Sequence, residues 1–204
     1  MTEHAPAAHK GDTEGARIGM WLFLFTELLL FGGLFLLYAV YFHRYPEAFH
    51  SGGKVLDRIH GTVNTVVLIT SSLFVACSVS DLQRGNKKRA RLLLLATVVC
   101  ALIFLVIKYF EWSAKIHHGI YPNGPELVKL PPGEMLFFNL YYMMTGLHGI
   151  HVIIGGAAII WVWQRIGTGA VTREQPVVLE NVGLYWHLVD LVWIYLFPLF
   201  YLVV

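Results

Sequence analysis

Two pairs of ionisable side chains stand three residues apart within long apolar stretches near the end of the chain. One pair is His148 and His151, and the other is His187 and Asp190. Residues three apart share one face of a helix, so these groups on two facing helices could hold a metal ion. The histidines could equally ligate a haem. Because such spacings are common, a His–Asp hydrogen bond that holds two helices in register is the more economical interpretation.

Other apolar stretches also carry ionisable groups, which are expected to have partners inside a membrane. Glu27 is either a proton-accessible acid or a neutral carboxylic acid that donates a hydrogen bond to a neighbouring helix, and its position favours the second. Lys108 and Glu111 predict an intrahelical ion pair near the membrane interface, with the lysine stem snorkelling outward. Glu180 opens the stretch that contains His187 and Asp190.

The composition is that of an integral membrane protein. Hydrophobic residues make up 56% of the chain and charged residues only 14%, whereas soluble domains are about one quarter charged. The net charge of +2 and the placement of Lys and Arg in loops argue against a nucleic-acid partner. Cys77 and Cys100 lie in apolar runs without a metal or haem motif, so we expect them in the core.

Five apolar stretches are each long enough to cross the roughly 30 Å hydrocarbon layer as a helix. Continuous rather than alternating apolar runs favour helices over strands. The predicted spans are residues 18–42, 60–79, 92–112, 135–163 and 182–204. The sequence thus predicts an all-α membrane protein, a bundle of five transmembrane helices in one domain (18–204). Residues 1–17 lack the apolar core of a signal peptide and are predicted to be a retained cytoplasmic tail.

The loops predict the orientation. Nine Lys and Arg residues fall in the tail and in the second and fourth loops, and five fall in the first and third loops. The positive-inside rule therefore places the N-terminus in the cytoplasm and the C-terminus outside.

The second span is rich in small polar residues. Asn64, Thr65, Thr70, Ser71 and Ser72 are spread along it. Such side chains suit hydrogen bonds between membrane helices, so we interpret them mainly as packing contacts.

Motifs on four of the spans resemble subunit III of the haem-copper terminal oxidases, and the resemblance covers nearly the whole chain after Arg17. Residues 145–152, Thr-Gly-Leu-His-Gly-Ile-His-Val, resemble Thr-Gly-Phe-His-Gly-x-His-Val in that family. Residues 184–193, Leu-Tyr-Trp-His-Leu-Val-Asp-Leu-Val-Trp, resemble its last-helix pattern of aromatic-Trp-His-Phe-Val-Asp-Val-Val-Trp. The Asn64-Thr65 and Ser71-Ser72 pairs and the Thr26-Glu27-Leu28 segment also fit.

The resemblance implies a non-catalytic, multi-pass subunit of the bacterial inner membrane. The complex would reduce oxygen to water in aerobic respiration and translocate protons. Haem and copper would lie in partner subunits I and II, with subunit I as the main contact, and phospholipid could be bound. The chain itself would hold no cofactor or metal and would stabilise subunit I and support proton uptake. The implied structural or proton-linked polar core consists of Glu27, Glu111, His148, His151, Glu180, His187 and Asp190.

Some features depart from the family pattern. Larger members have seven helices, and this chain begins at the equivalent of the third, as short bacterial members do. Lys108 stands where the family often has Gln, and Trp112 where Tyr is usual.

Two other functions stay open at this point. The related accessory protein of nitric oxide reductases is also a five-helix member of the family. A stand-alone haem-binding electron carrier using His148, His151 and His187 would belong to another class.

Overall fold

The computed structural model describes residues 7–202, with side chains from residue 13 onward. Six α-helices account for most of this range, and a 3₁₀ turn at Leu127–Lys129 lies in the loop before the fifth. The α-helices are α1 (Ala7–Arg44), α2 (Pro46–Lys54), α3 (Arg58–Gln83), α4 (Lys87–His117), α5 (Pro132–Gly167) and α6 (Val177–Phe197). A π-helical turn, Pro198–Leu202, continues α6.

Five of these helices are long and apolar enough to cross a membrane, which confirms the five predicted spans. The exception is α2, which is only nine residues long. The spanning helices extend past the predicted spans by several residues, because polar turns continue the helix beyond the hydrocarbon layer. Thus α1 starts at Ala7, inside the segment predicted to be a tail, and residues 1–6 and 203–204 lie outside the described part.

The packing centres on α6. Helices α3, α4, α5 and α6 form a four-helix bundle in which α6 contacts both α3 and α5. Helix α1 packs outside this bundle against α5 and α6 and is the least buried of the spans. Consecutive spans run in opposite directions, so the start of α4 lies at the same end as the ends of α3 and α5.

The short helix α2 covers the other end of the bundle, opposite the end at which α4 starts. Gly52 of α2 lies so close to α5 that an added Cβ would overlap the ring of Phe137. Phe49, on the same helix, is fully buried against Phe137. This helix was not predicted, since nine residues of mixed polarity give no membrane-span signal.

The exposed surface of the membrane helices changes one expectation. Cys77 is exposed on α3 and Cys100 is partly exposed on α4. The prediction that both lie in the core was wrong for Cys77, because a membrane helix is apolar on its lipid-facing side as well as its packed side.

Candidate functional site

A carboxyl–imidazole pair joins α1 to α5 inside the membrane. Oε2 of Glu27 lies 2.9 Å from Nε2 of His151, and both side chains are nearly buried. The other ring nitrogen, Nδ1, lies 2.7 Å from the carbonyl oxygen of Leu147. A carbonyl only accepts hydrogen bonds, so Nδ1 carries a proton. One further proton is therefore shared between Glu27 and Nε2 of His151.

The proton between these two groups can lie at either end of the hydrogen bond. With the shared proton on Glu27, both groups are neutral; with the proton on Nε2, a carboxylate faces an imidazolium. The hydroxyl of Tyr185 on α6 donates to the backbone carbonyl of His151 at 3.3 Å. The ring of Phe31 packs edge-on against the imidazole. These contacts hold the imidazole toward Glu27.

A row of hydrogen bonds ties α6 to α3. The indole N–H of Trp186 donates to Oγ of Ser71 at 3.0 Å. Nδ1 of His187 lies 2.6 Å from Oγ of Ser72. Further along, the indole N–H of Trp193 donates to Oγ1 of Thr65 at 3.0 Å. The packing role predicted for the small polar residues of the second span is confirmed for these three hydroxyls.

The expected hydrogen bond between a histidine of α5 and Asp190 of α6 is not formed. Among the described residues, His148 has no hydrogen-bond partner at either ring nitrogen, and the carboxylate of Asp190 lies near the hydroxyls of Ser71 and Ser72 on α3 rather than against a histidine. Three residues leave two side chains about 60° apart around a helix. His151 consequently reaches α1, whereas His148 packs between Phe104 and Trp193.

A second buried cluster lies near the end of α4. Nζ of Lys108 is 3.0 Å from Oε2 of Glu111, which confirms the predicted ion pair. Lys108 also donates to the hydroxyls of Tyr141 and Tyr201 at 3.0 and 2.8 Å. Both hydroxyls in turn donate to Oε1 of Glu111, at 2.7 and 2.8 Å.

The predicted snorkelling of Lys108 was wrong. Its side chain is only 8% exposed and that of Glu111 only 3%. The two tyrosine hydroxyls supply polar partners inside the bundle, so the ammonium group does not need to reach water.

Glu180 occupies the other end of the bundle, where three helices meet. Its carboxylate accepts from the guanidinium of Arg17 at 2.8 Å and from Nε2 of Gln83 at 3.1 Å. It thereby links the starts of α1 and α6 to the end of α3.

The structure therefore distributes the seven predicted residues over several places rather than one site. Sequence reasoning missed the partners Tyr201, Arg17 and Gln83, which are far from Glu111 and Glu180 along the chain. The one available signal was that each lies near the end of a span, where polar groups are commonly placed.

Within the described residues, no three His, Cys, Asp or Glu side chains come together as metal ligands.

Comparison with known proteins gives one consistent family. The family model described as cytochrome c oxidase subunit III matches residues 2–203. Cytochrome c oxidase subunit 3 of Thermostichus vulcanus is 29% identical over 91% of this chain and 86% of its own length. Cytochrome bo(3) ubiquinol oxidase subunit 3 of Pseudomonas aeruginosa is 27% identical over 95% of this chain and 88% of its own length.

A fused protein is also similar. Heme-copper oxidase subunit I+III of Aeropyrum pernix is 33% identical over 92% of this chain. The chain spans only 22% of the length of that protein.

Proposed function

The chain belongs to the cytochrome c oxidase subunit III family, and we propose that its buried polar groups stabilise the redox-active subunit and support its proton uptake. It is a non-catalytic subunit III of a haem-copper oxidase. The observation that carries the proton-linked part is the Glu27–His151 pair, which shares one proton between two nearly buried groups.

The main partner in this proposal is subunit I, and subunit II is a second one. Support comes from the Aeropyrum pernix relative, whose name joins subunits I and III in one chain. Fusion of two subunits favours partners that lie side by side. Haem and copper would reside in those partner subunits.

The proposed setting is a bacterial inner membrane, with the N-terminus in the cytoplasm and the C-terminus outside. The excess of Lys and Arg in the tail and in the second and fourth loops supports this orientation. Residues 18–204 would act as one membrane domain, preceded by residues 1–17, and phospholipid would cover its apolar faces.

The two alternative functions have less support. The relatives described above are named as oxidase subunits, which favours an oxidase over a nitric oxide reductase. A haem carrier would need imidazole nitrogens that face an open pocket, but both nitrogens of His151 are engaged, and His148 is fully buried between the rings of Phe104 and Trp193.

The test is to purify the tagged chain in mild detergent and to identify what accompanies it. We expect an oxidase subunit I, oxygen consumption by the complex, and no haem on the chain once it is separated from its partners. Recovery of a nitric oxide reductase, or a Soret band with stoichiometric iron on the separated chain, would contradict the proposal.

A further inference from the structure

We propose that the core of the four-helix bundle holds ordered water molecules beside the ring of Trp193. These waters form hydrogen bonds with Asn64 on α3, His148 on α5 and Asp190 on α6. The site does not include Glu27 and is therefore independent of the proton-linked role proposed for that residue.

Asn64 and His148 are buried polar side chains without hydrogen-bond partners. Both are 0% exposed. The amide nitrogen and oxygen of Asn64 and the two ring nitrogens of His148 have no partner among the described residues. Buried polar groups in proteins are nearly always bonded to protein or to ordered water, and an unpaired group is especially costly inside a membrane. Four such atoms in one core therefore indicate that a bound molecule supplies the missing hydrogen bonds.

Trp193 fixes the height of these groups in the bundle. Its indole N–H donates to Thr65, which directly follows Asn64, and its ring centre lies 5.1 Å from that of His148. Asp190 precedes Trp193 on α6 by three residues, which is about 4.5 Å along the helix axis. The three side chains thus lie within about one helical turn of the same level. A water with two hydrogen bonds of about 2.8 Å each spans roughly 5.5 Å, which suits this spacing.

The carboxyl group of Asp190 has room for further hydrogen bonds. It lies near the hydroxyls of Ser71 and Ser72 on α3. Both hydroxyls have other partners: that of Ser71 donates to the carbonyl of Leu68 at 2.7 Å, and that of Ser72 lies 2.6 Å from Nδ1 of His187. Because a carboxylate offers about four lone-pair sites, acceptor sites of Asp190 are left for water.

The chemistry of the site identifies the bound molecule as water. Side chains without exposed surface are enclosed by the helices of this chain, so neither a partner subunit nor a lipid can reach Asn64 and His148. A cation accepts no hydrogen bonds and would leave the amide N–H₂ of Asn64 and the ring N–H of His148 unpaired. Water both donates and accepts, and a buried water typically makes about three hydrogen bonds.

The water site adjoins the buried cluster of Lys108 and Glu111. Nζ of Lys108 lies 5.3 Å from the centre of the Trp193 ring. Asp190, by contrast, lies near the middle of the span Val177–Leu202. The waters therefore extend the polar core of the bundle from the end of α4 to the middle of the membrane.

The test is radiolytic labelling of the purified oxidase complex in H₂¹⁸O. X-rays convert bound water to hydroxyl radicals, which oxidise a neighbouring side chain that bulk solvent does not reach, and mass spectrometry locates the added ¹⁸O. Rates are normalised to those of the same side chains in the unfolded chain. We expect labelling of Trp193 but not of Phe137, which is equally buried but packs against Phe49, Phe138 and Phe200. Equal rates for Trp193 and Phe137 would overturn the site.

A pair of substitutions on α3 connects the labelling to the polar groups. Asn64→Leu replaces the amide by an apolar group of nearly the same shape. We expect labelling of Trp193 to become roughly threefold slower, because a buried water that keeps about three hydrogen bonds loses at least one of them. The matched control is Ser78→Ala, since Ser78 is also fully buried but its hydroxyl donates to the carbonyl of Val75 within α3. An equal decrease in both variants, or no decrease in Asn64→Leu, would overturn the proposal.

A high-resolution density map of the unaltered complex decides the question even if Asn64→Leu does not assemble. We expect water peaks at hydrogen-bonding distance from the amide of Asn64 and the ring of His148. Direct hydrogen bonds from both side chains to protein atoms, without such peaks, would overturn the proposal.

Discussion

Glu27 and His151 face each other across α1 and α5, and the carbonyl of Leu147 fixes which nitrogen of His151 is available to the acid. With Nδ1–H donating to Leu147 at 2.7 Å, Nε2 is left to share a proton with Glu27 at 2.9 Å. The sequence left two interpretations of Glu27. It could be a neutral carboxylic acid bonded to a neighbouring helix, or it could be a proton-accessible acid. This geometry allows both interpretations, because the proton in that hydrogen bond can lie on either group.

Replacement of Glu27 by Gln should separate these roles. Gln can still donate a hydrogen bond to Nε2, but it cannot release a proton. We expect the complex to assemble normally and to show slower turnover or less proton pumping, measured by oxygen consumption and proton release in proteoliposomes. Glu174→Gln, at an exposed loop carboxylate, is the matched control and should leave both values unchanged. Normal turnover and pumping in the Glu27 variant would leave Glu27 with a packing role only.

Removal of the Ser72 hydroxyl should weaken the contact between α3 and α6. In Ser72→Ala, Nδ1 of His187 loses its partner; because His187 is only partly buried, we expect a cost of about 1 kcal/mol, the low end for an unsatisfied polar group. We expect a lower melting temperature in detergent and less chain associated with its partners, with an unchanged haem spectrum. The control is Thr70→Ala on the same helix, because Thr70 is not buried and its hydroxyl donates to the carbonyl of Val66 within α3. A similar loss in both variants would contradict a specific role for the Ser72–His187 bond.

The number and type of the membrane helices could be predicted from the sequence because apolar length alone decides them. The partners of the polar side chains could not be predicted in the same way. His148 and His151 have the same chemistry and nearly the same depth, yet one reaches Glu27 and the other lies among aromatic rings. Which neighbour a side chain meets depends on how each helix is rotated, and the sequence pattern of a membrane helix does not determine that rotation when all its faces are apolar.

Partners that lie far apart along the sequence could not be predicted for a second reason. Tyr201 lies ninety positions from Glu111, and nothing in the local sequence relates them. By contrast, Lys108 and Glu111 were correctly paired because their interaction lies within one helix.

The cap that Asp57 forms should make the stability of α3 vary with pH in the acidic range. It caps the helix by accepting from the backbone N–H of Ile59 at 2.8 Å and of His60 at 3.4 Å. Burial alone would raise the pKa of Asp57, but these bonds and the imidazole of His60 lower it below its ordinary value. The stabilisation is thus fully present above the unfolded pKa of about 3.9 and is lost as the pH falls through the lower folded pKa.

Two substitutions test this cap by thermal unfolding in detergent. At neutral pH, Asp57→Ala should destabilise the protein by about 1 kcal/mol, and the difference should shrink in strong acid. Asp57→Asn keeps a good capping side chain without a titrating group, so its stability should vary less with pH than that of the unchanged protein. A constant deficit of Asp57→Ala at every pH would contradict the role of the ionised carboxylate.

The buried ion pair of Lys108 and Glu111 should be costly to break and much less costly to replace as a unit. Lys108→Met leaves the carboxylate of Glu111 buried with the tyrosine hydroxyls and the charge of Lys115 as its remaining partners, and loss of one partner in such a pair costs about 3–5 kcal/mol. Lys108→Gln retains a donor and should cost less. The double variant Lys108→Met with Glu111→Leu removes both charges and should recover most of the stability.

Lys129→Met is the matched control, since Lys129 and Glu126 have the same three-residue spacing on an exposed surface. Its expected effect is about 0–1 kcal/mol. Thermal unfolding of these variants and of the single variant Glu111→Leu in detergent measures the coupling, and a double variant as unstable as the sum of its two single changes would show that the two side chains do not act as a pair.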